Sequence, residues 1–167
     1  CAYNGGTLEN LIVAGSIEAK DFAAGIFAAS LQTKEEDETH SKLVNHAKVT
    51  ANGTAAGIVA PTKEKVLLED CVNTGVIEAA VAAGITTAEC ENLVLMRCQN
   101  YAPIISSDNE SYGITSNLTA NLTDCVGVSE NVYPIAADAN ESENCLYFIS
   151  GGENIEDALL ADICDFS

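Results

Sequence analysis

The sequence predicts an all-β fold: a right-handed parallel β-helix, or solenoid, of about five to six coils with a short C-terminal helix. Three observations predict it. A degenerate unit recurs at steps of 32, 28, 27 and 27 residues. Within each unit, apolar runs of three to five residues are broken by Gly, Asn and other small residues, a pattern that suits short strands and not helices. The composition is 47% hydrophobic but only 5% aromatic, with no Trp, as a thin stacked core of Leu, Ile, Val and Ala requires.

The repeat is read in columns. Leu8–Ala19, His40–Ala51, Leu68–Ala79, Leu95–Ser106 and Leu122–Tyr133 align without gaps. The first position is Leu8, His40, Leu68, Leu95 and Leu122. The fourth is Leu11, Leu43, Cys71, Cys98 and Cys125, and the sixth is Val13, Asn45, Asn73, Asn100 and Gly127. The eighth is always small: Gly15, Ala47, Gly75, Ala102 and Ser129. The tenth is Ile17, Val49, Ile77 and Ile104, with Val132 one residue late in the fifth copy.

A second block follows in each unit. Ala23-Ala24-Gly25-Ile26 matches Ala55-Ala56-Gly57-Ile58, Ala82-Ala83-Gly84-Ile85 and Ser111-Tyr112-Gly113-Ile114, with Tyr133-Pro134-Ile135 a shortened version. Asn144-Cys145-Leu146-Tyr147-Phe148-Ile149 begins a partial further turn. A unit this short cannot close a core alone, so equivalent strands must stack in parallel. The Asn45/Asn73/Asn100 column suits an amide ladder at a turn, and the fixed Gly and Ala positions suit tight corners. Thr33–Ser41, carrying Glu35-Glu36-Asp37-Glu38, is expected to protrude as a loop.

The repeat domain is placed at residues 1–150 and its capping tail at 151–167. Gly151-Gly152 interrupts the strands, and Ile155, Leu159 and Ile163 recur at helical spacing behind Glu153, Glu156 and Asp157. Such a helix would cover the terminal strand edge; no comparable cap precedes Leu8.

The run Cys71-Val72-Asn73-Thr74-Gly75-Val76-Ile77, with its downstream Ala-Gly-Ile block, resembles GLUG-type repeats and related β-helix repeats of surface and secreted proteins. The resemblance covers roughly residues 8–135; where the family motif has Gly-Gly-Ile-Gly, this chain has Ala-Ala-Gly-Ile. It implies an extracellular adhesive or structural module without a defined catalytic activity.

Charge narrows the function further. The net charge is −18, with −2 in residues 1–65 and −16 in residues 66–167. So acidic a chain does not suit nucleic-acid binding, which draws its affinity from Lys and Arg. No apolar run approaches the length that spans a bilayer, so no membrane insertion is expected. Five sequons, at Asn52, Asn109, Asn117, Asn121 and Asn140, point to covalent N-glycans and a secreted or cell-surface protein. Seven cysteines, Cys1, Cys71, Cys90, Cys98, Cys125, Cys145 and Cys164, fit an oxidising compartment and are all disulfide candidates. Cys90–Cys98, Cys71–Cys98 and Cys145–Cys164 are among the possible pairs; the column members Cys71, Cys98 and Cys125 fit equally well as small buried apolar side chains.

No cofactor, metal or catalytic residue is expected. There is no C-x-x-C pair near His40 or His46, no nucleophile elbow and no phosphate loop. Polysaccharide-active enzymes also use parallel β-helices, but their chemistry needs clustered carboxylates or a basic group in a groove. Here Arg97 is the only Arg, and strand alternation puts the neighbours Glu69 and Asp70 on opposite faces. The leading expectation is a structural protein that assembles head to tail with copies of itself into a filament, coat or wall. The alternatives are an adhesin or binding module of a larger surface protein and, third, a polysaccharide-active enzyme.

Overall fold

The computed structural model describes residues 6–27, 39–60, 66–88, 93–117, 119–129 and 141–149. All regular structure among them is β, and every strand pairing is parallel. The strands stack as a β-solenoid, each repeat laying its strands on those of the repeat before.

Three sheets result. The first contains Thr39–Ser41, Leu67–Glu69, Val94–Met96, Asn121–Thr123 and Glu141–Glu143. The second contains Ile12–Val13, Val44–Asn45, Val72–Asn73, Gln99–Asn100, Val126–Ser129 and Leu146–Ile149. The third joins Ser16–Ala19 and Phe22–Ala24 to Lys48–Ala51 and Thr54–Ala56, then to Ile77–Ala83 and Ile104–Tyr112. The register is the column alignment itself: His40 pairs with Leu68, Leu68 with Leu95 and Leu95 with Leu122, while Ile17, Val49, Ile77 and Ile104 pair in turn. One part of the expected Thr33–Ser41 loop differs. Thr39–Ser41 is a strand, because His40 already occupies the inward first position of its repeat.

The corner between first and second sheets is a single left-handed residue. Asn10, Lys42, Asp70, Arg97, Asp124 and Asn144 all have φ between 51° and 57°. Such a conformation costs a non-glycine residue roughly 1–2 kcal/mol. In-register backbone bonds offset it: the N–H groups of Lys42, Asp70, Arg97 and Asp124 donate to Glu69, Met96, Thr123 and Glu143 carbonyls of the following repeat at 2.9–3.0 Å.

The corner between second and third sheets is the amide ladder. The Oδ1 atoms of Asn45, Asn73 and Asn100 accept from the N–H groups of Ala47, Gly75 and Ala102, and each Nδ2 donates to the carbonyl of that same residue. Each side chain thereby closes its own turn. Asn45 Nδ2 also donates to Asn73 Oδ1 at 2.8 Å, and Asn73 Nδ2 to Asn100 Oδ1 at 2.7 Å. Where Gly127 ends the column, Asn100 Nδ2 donates to the Val128 carbonyl instead. All three Asn are fully buried.

The core lies inside the three sheets. Ile26, Ile58, Ile85 and Ile114 of the second block pack with Leu43, Leu68, Leu95, Leu122 and the cysteine column. A smaller cluster of Val49, Ile77, Ile104 and alanines lies under the third sheet. Val132, the Tyr133-Pro134-Ile135 block and the proposed helix between Glu153 and Ile163 lie outside the described residues.

Candidate functional sites

A notch opens on the third sheet because successive repeats differ in corner length. Between the paired rows that flank it, the second repeat inserts Asn52-Gly53, the third only Ala80, and the fourth Ser107-Asp108-Asn109. The short corner at Ala80 therefore lies below two taller neighbours, an insertion effect akin to a β-bulge. The resulting depression has a volume of about 330 Å³ and is lined by Thr50, Asn52, Glu78, Ile105, Ser106 and Ser107 around the corner alanines. Ser106 organises one rim: its hydroxyl donates to the Ala80 carbonyl and accepts the N–H groups of Asp108 and Glu110. Glu78 is engaged by Lys48 at 2.7 Å. The notch thus offers hydroxyls, one amide and one exposed isoleucine, which suits weak contact with a polar ligand carrying an apolar face.

The sequon asparagines divide by environment. Asn52 is exposed on the notch rim, and Asn109 is exposed at the tip of the long corner with φ 61°. Asn121 is half-buried at the start of its strand. Asn117 is 7% exposed; its Nδ2 donates to the Ala88 carbonyl at 2.8 Å, and its Oδ1 accepts from Thr119. In the folded chain, the amide nitrogen to which a glycan would be attached is therefore turned inward. Asn140 lies outside the described residues, as do Cys1, Cys90 and Cys164.

The other four cysteines are free thiols, and they form one column. Cys145 joins Cys71, Cys98 and Cys125 because Val126 pairs with Leu146 directly beside them. Cys71, Cys98 and Cys125 are buried, whereas Cys145 is half-exposed. Burial pushes the Cys98 thiol up, and its thiol neighbours on both sides push it the same way. Hydrogen bonds from Cys145 and Cys98 pull Cys125 down, and Cys145 rises correspondingly. Among the described residues, no group of three or more His, Cys, Asp or Glu is placed to hold a metal ion. His40 is a core residue: its Nδ1 accepts the Leu8 N–H at 3.1 Å, and its ring meets Phe27 edge-on. His46 is exposed.

The left-handed corner column carries alternating charge, Lys42, Asp70, Arg97 and Asp124, which the repeat alignment does not single out. Its only sequence sign is a charged residue just before four of the five fourth-position residues, Leu43, Cys71, Cys98 and Cys125, with Asn10 before Leu11. Arg97 Nε donates to Asp70 Oδ1 at 2.7 Å, and its Nη2 contacts Glu69. Glu69 and Asp70 thus share one partner and do not occupy opposite faces, because the left-handed residue interrupts the strand alternation. Hydrogen bonding to Arg97 holds the Asp70 carboxyl below its usual range. A carboxyl so depressed adds stability that is present above its unfolded pKa and lost as pH falls through the folded one. Arg97→Gln is therefore expected to lower the urea midpoint slightly at neutral pH and low salt. The difference from the parent chain should vanish on acidification and shrink in high salt, since the pair is substantially exposed. A deficit that persists unchanged in acid would assign Arg97 a packing role instead.

The first repeat is the most exposed apolar part of the described chain. Leu11 is 39% exposed although its column equivalent Leu43 is 0% exposed, so the inward fourth-position column is open at this end. Ile12 at 70% and Phe22 at 56% add apolar area on the same repeat. Its strands Ile12–Val13, Ser16–Ala19 and Phe22–Ala24 are the terminal members of their sheets. Comparison with family models, curated proteins and solved structures finds no match to this chain.

Proposed function

We propose that the chain is an extracellular, N-glycosylated structural solenoid that associates end to end with copies of itself. The observation that carries this reading is the open end at the first repeat, where a core column, with Leu11 at its end, meets solvent beside terminal strands. Parallel edges of this kind template further strands, and a neighbouring solenoid would continue the same register. The charge split supports a head-to-tail order, because the half near −2 can approach the half near −16 with little repulsion. The reading includes a right-handed helix of five to six coils, related to GLUG-type repeats, with its far end closed by the C-terminal segment; the six-strand second sheet supports that coil number. Asn52 and Asn109 are the glycan sites it favours, since both amides face solvent. No catalysis is assigned.

Sedimentation velocity and negative-stain microscopy test it. The parent chain should form rods that lengthen with concentration. Leu11→Lys, which places a charge at the open end of the column, should leave the far-UV circular dichroism unchanged and shift the population to monomer. A parent chain that stays monomeric at high concentration, or a variant that assembles equally well, overturns the reading. The notch favours a second reading, a binding module that presents the depression around Ala80 to a polar ligand. That reading calls for a ligand whose affinity falls in Ile105→Asp, with no change in association state.

A further inference from the structure

The column of four thiols has a spacing that carries chemistry of its own. Cys71, Cys98, Cys125 and Cys145 sit one above another, flanked by the pairs Val72↔Gln99, Gln99↔Val126 and Val126↔Leu146. Paired strands lie about 4.7–4.9 Å apart. Each sulfur is tied to the carbonyl two residues before it, Glu69, Met96, Thr123 and Glu143 respectively, at 3.4–3.5 Å. That repeated bond gives the four side chains one orientation.

A thiolate–metal bond is about 2.3 Å long, so two sulfurs held on either side of an ion stand about 4.6 Å apart. This matches the step between repeats. Ligands in single file cannot surround a tetrahedral zinc ion, and no third His, Cys, Asp or Glu among the described residues is placed to complete one. Two sulfurs in line suit linear coordination, the preference of soft monovalent cations, for which thiolates are selective.

The geometry points to a two-coordinate site for a soft monovalent cation, Cu(I) or its redox-inert analogue Ag(I), between Cys125 and Cys145. On binding, both S–H bonds break, two protons leave to solvent and two sulfur–metal bonds form; no electron is transferred. The bound group carries one negative charge. That charge selects this pair within the column, because Cys145 is its only half-exposed member and the Cys71–Cys98 pair is buried. The site is independent of the assembly reading.

The test is an anaerobic Ag(I) titration of the full reduced chain carrying Cys1→Ser, Cys90→Ser and Cys164→Ser, followed by calorimetry in two buffers of different protonation enthalpy. The expected result is one Ag(I) per chain with two protons released. Adding Cys145→Ser should weaken binding by about a hundredfold or more, since even outer-shell changes cost up to that much. Adding Cys71→Val should leave binding unchanged. As a second measurement in the otherwise native chain, one equivalent of Ag(I) should protect Cys145 from iodoacetamide, which also covers the case in which a variant fails to fold. No binding, binding that survives Cys145→Ser, unprotected Cys145, or a Cys125–Cys145 disulfide in the purified chain overturns the proposal.

Discussion

Asn73→Ala is expected to cost about 4 kcal/mol of folding stability, measured as a shift in the urea transition at constant slope. The side chain makes four hydrogen bonds in a fully buried position. It closes its own turn through the Gly75 N–H and carbonyl, accepts from Asn45 Nδ2 and donates to Asn100 Oδ1. Truncation removes a modest net gain from each bond, and it also leaves the Gly75 N–H and carbonyl buried without their side-chain partner, whereas Asn45 Nδ2 and Asn100 Oδ1 keep the bonds of their own turns. Each such group costs about 1–3 kcal/mol, and only part of that is recovered if water enters the vacated space. Position in the ladder sets a gradient. Asn45 makes three of these bonds and faces Val13 in the preceding repeat, so Asn45→Ala should cost less than Asn73→Ala. Equal effects at the two positions would show that each Asn acts only on its own turn. A loss below about 1 kcal/mol at Asn73 would remove the ladder from the list of what holds the repeats in register.

The ladder was legible in the sequence because it obeys the repeat: Asn at one column position in successive units must stack if the units do. The same logic recovered the first- and tenth-position core columns and the parallel register. What stayed hidden is what breaks strict periodicity or crosses between columns. Glu69 and Asp70 read as opposed because alternation was assumed to run through a residue that is in fact left-handed at φ 53°. Cys145 did not announce itself as the fourth thiol because its step from Cys125 is shorter than the earlier ones. The notch depends on corners of different lengths in three repeats, a property that no single unit displays. The open end at Leu11 was not legible in the repeat columns, where Leu11 and Leu43 hold the same position. Its exposed apolar area needed the stacked coordinates.

Gly57→Ala is expected to lower stability by about 3 kcal/mol or more. A Cβ at this position would lie 2.0 Å from the Gly84 carbonyl oxygen and 2.6 Å from Asn73 Cγ. Gly25 and Gly84 meet the same two obstacles, at 2.0 and 2.5 Å and at 2.1 and 2.5 Å respectively. The glycine column and the asparagine column are thus two halves of one contact, which explains why both recur. Gly57 does not have a left-handed φ, so the cost is one of space and not of backbone torsion. Overpacking of this kind is relieved only by moving backbone, and here the backbone belongs to the next repeat, whose position is fixed by three sheets. A double-mutant cycle separates the two obstacles. If the Gly84 carbonyl dominates, as the shorter distance indicates, Asn73→Ala will not rescue Gly57→Ala, and the pair will be at least as unstable as either single variant. Substantial rescue would assign the clash to the Asn73 side chain instead. Gly6→Ala is the matched control: nothing lies within 4 Å of its added Cβ, and its urea midpoint should stay at the parent value.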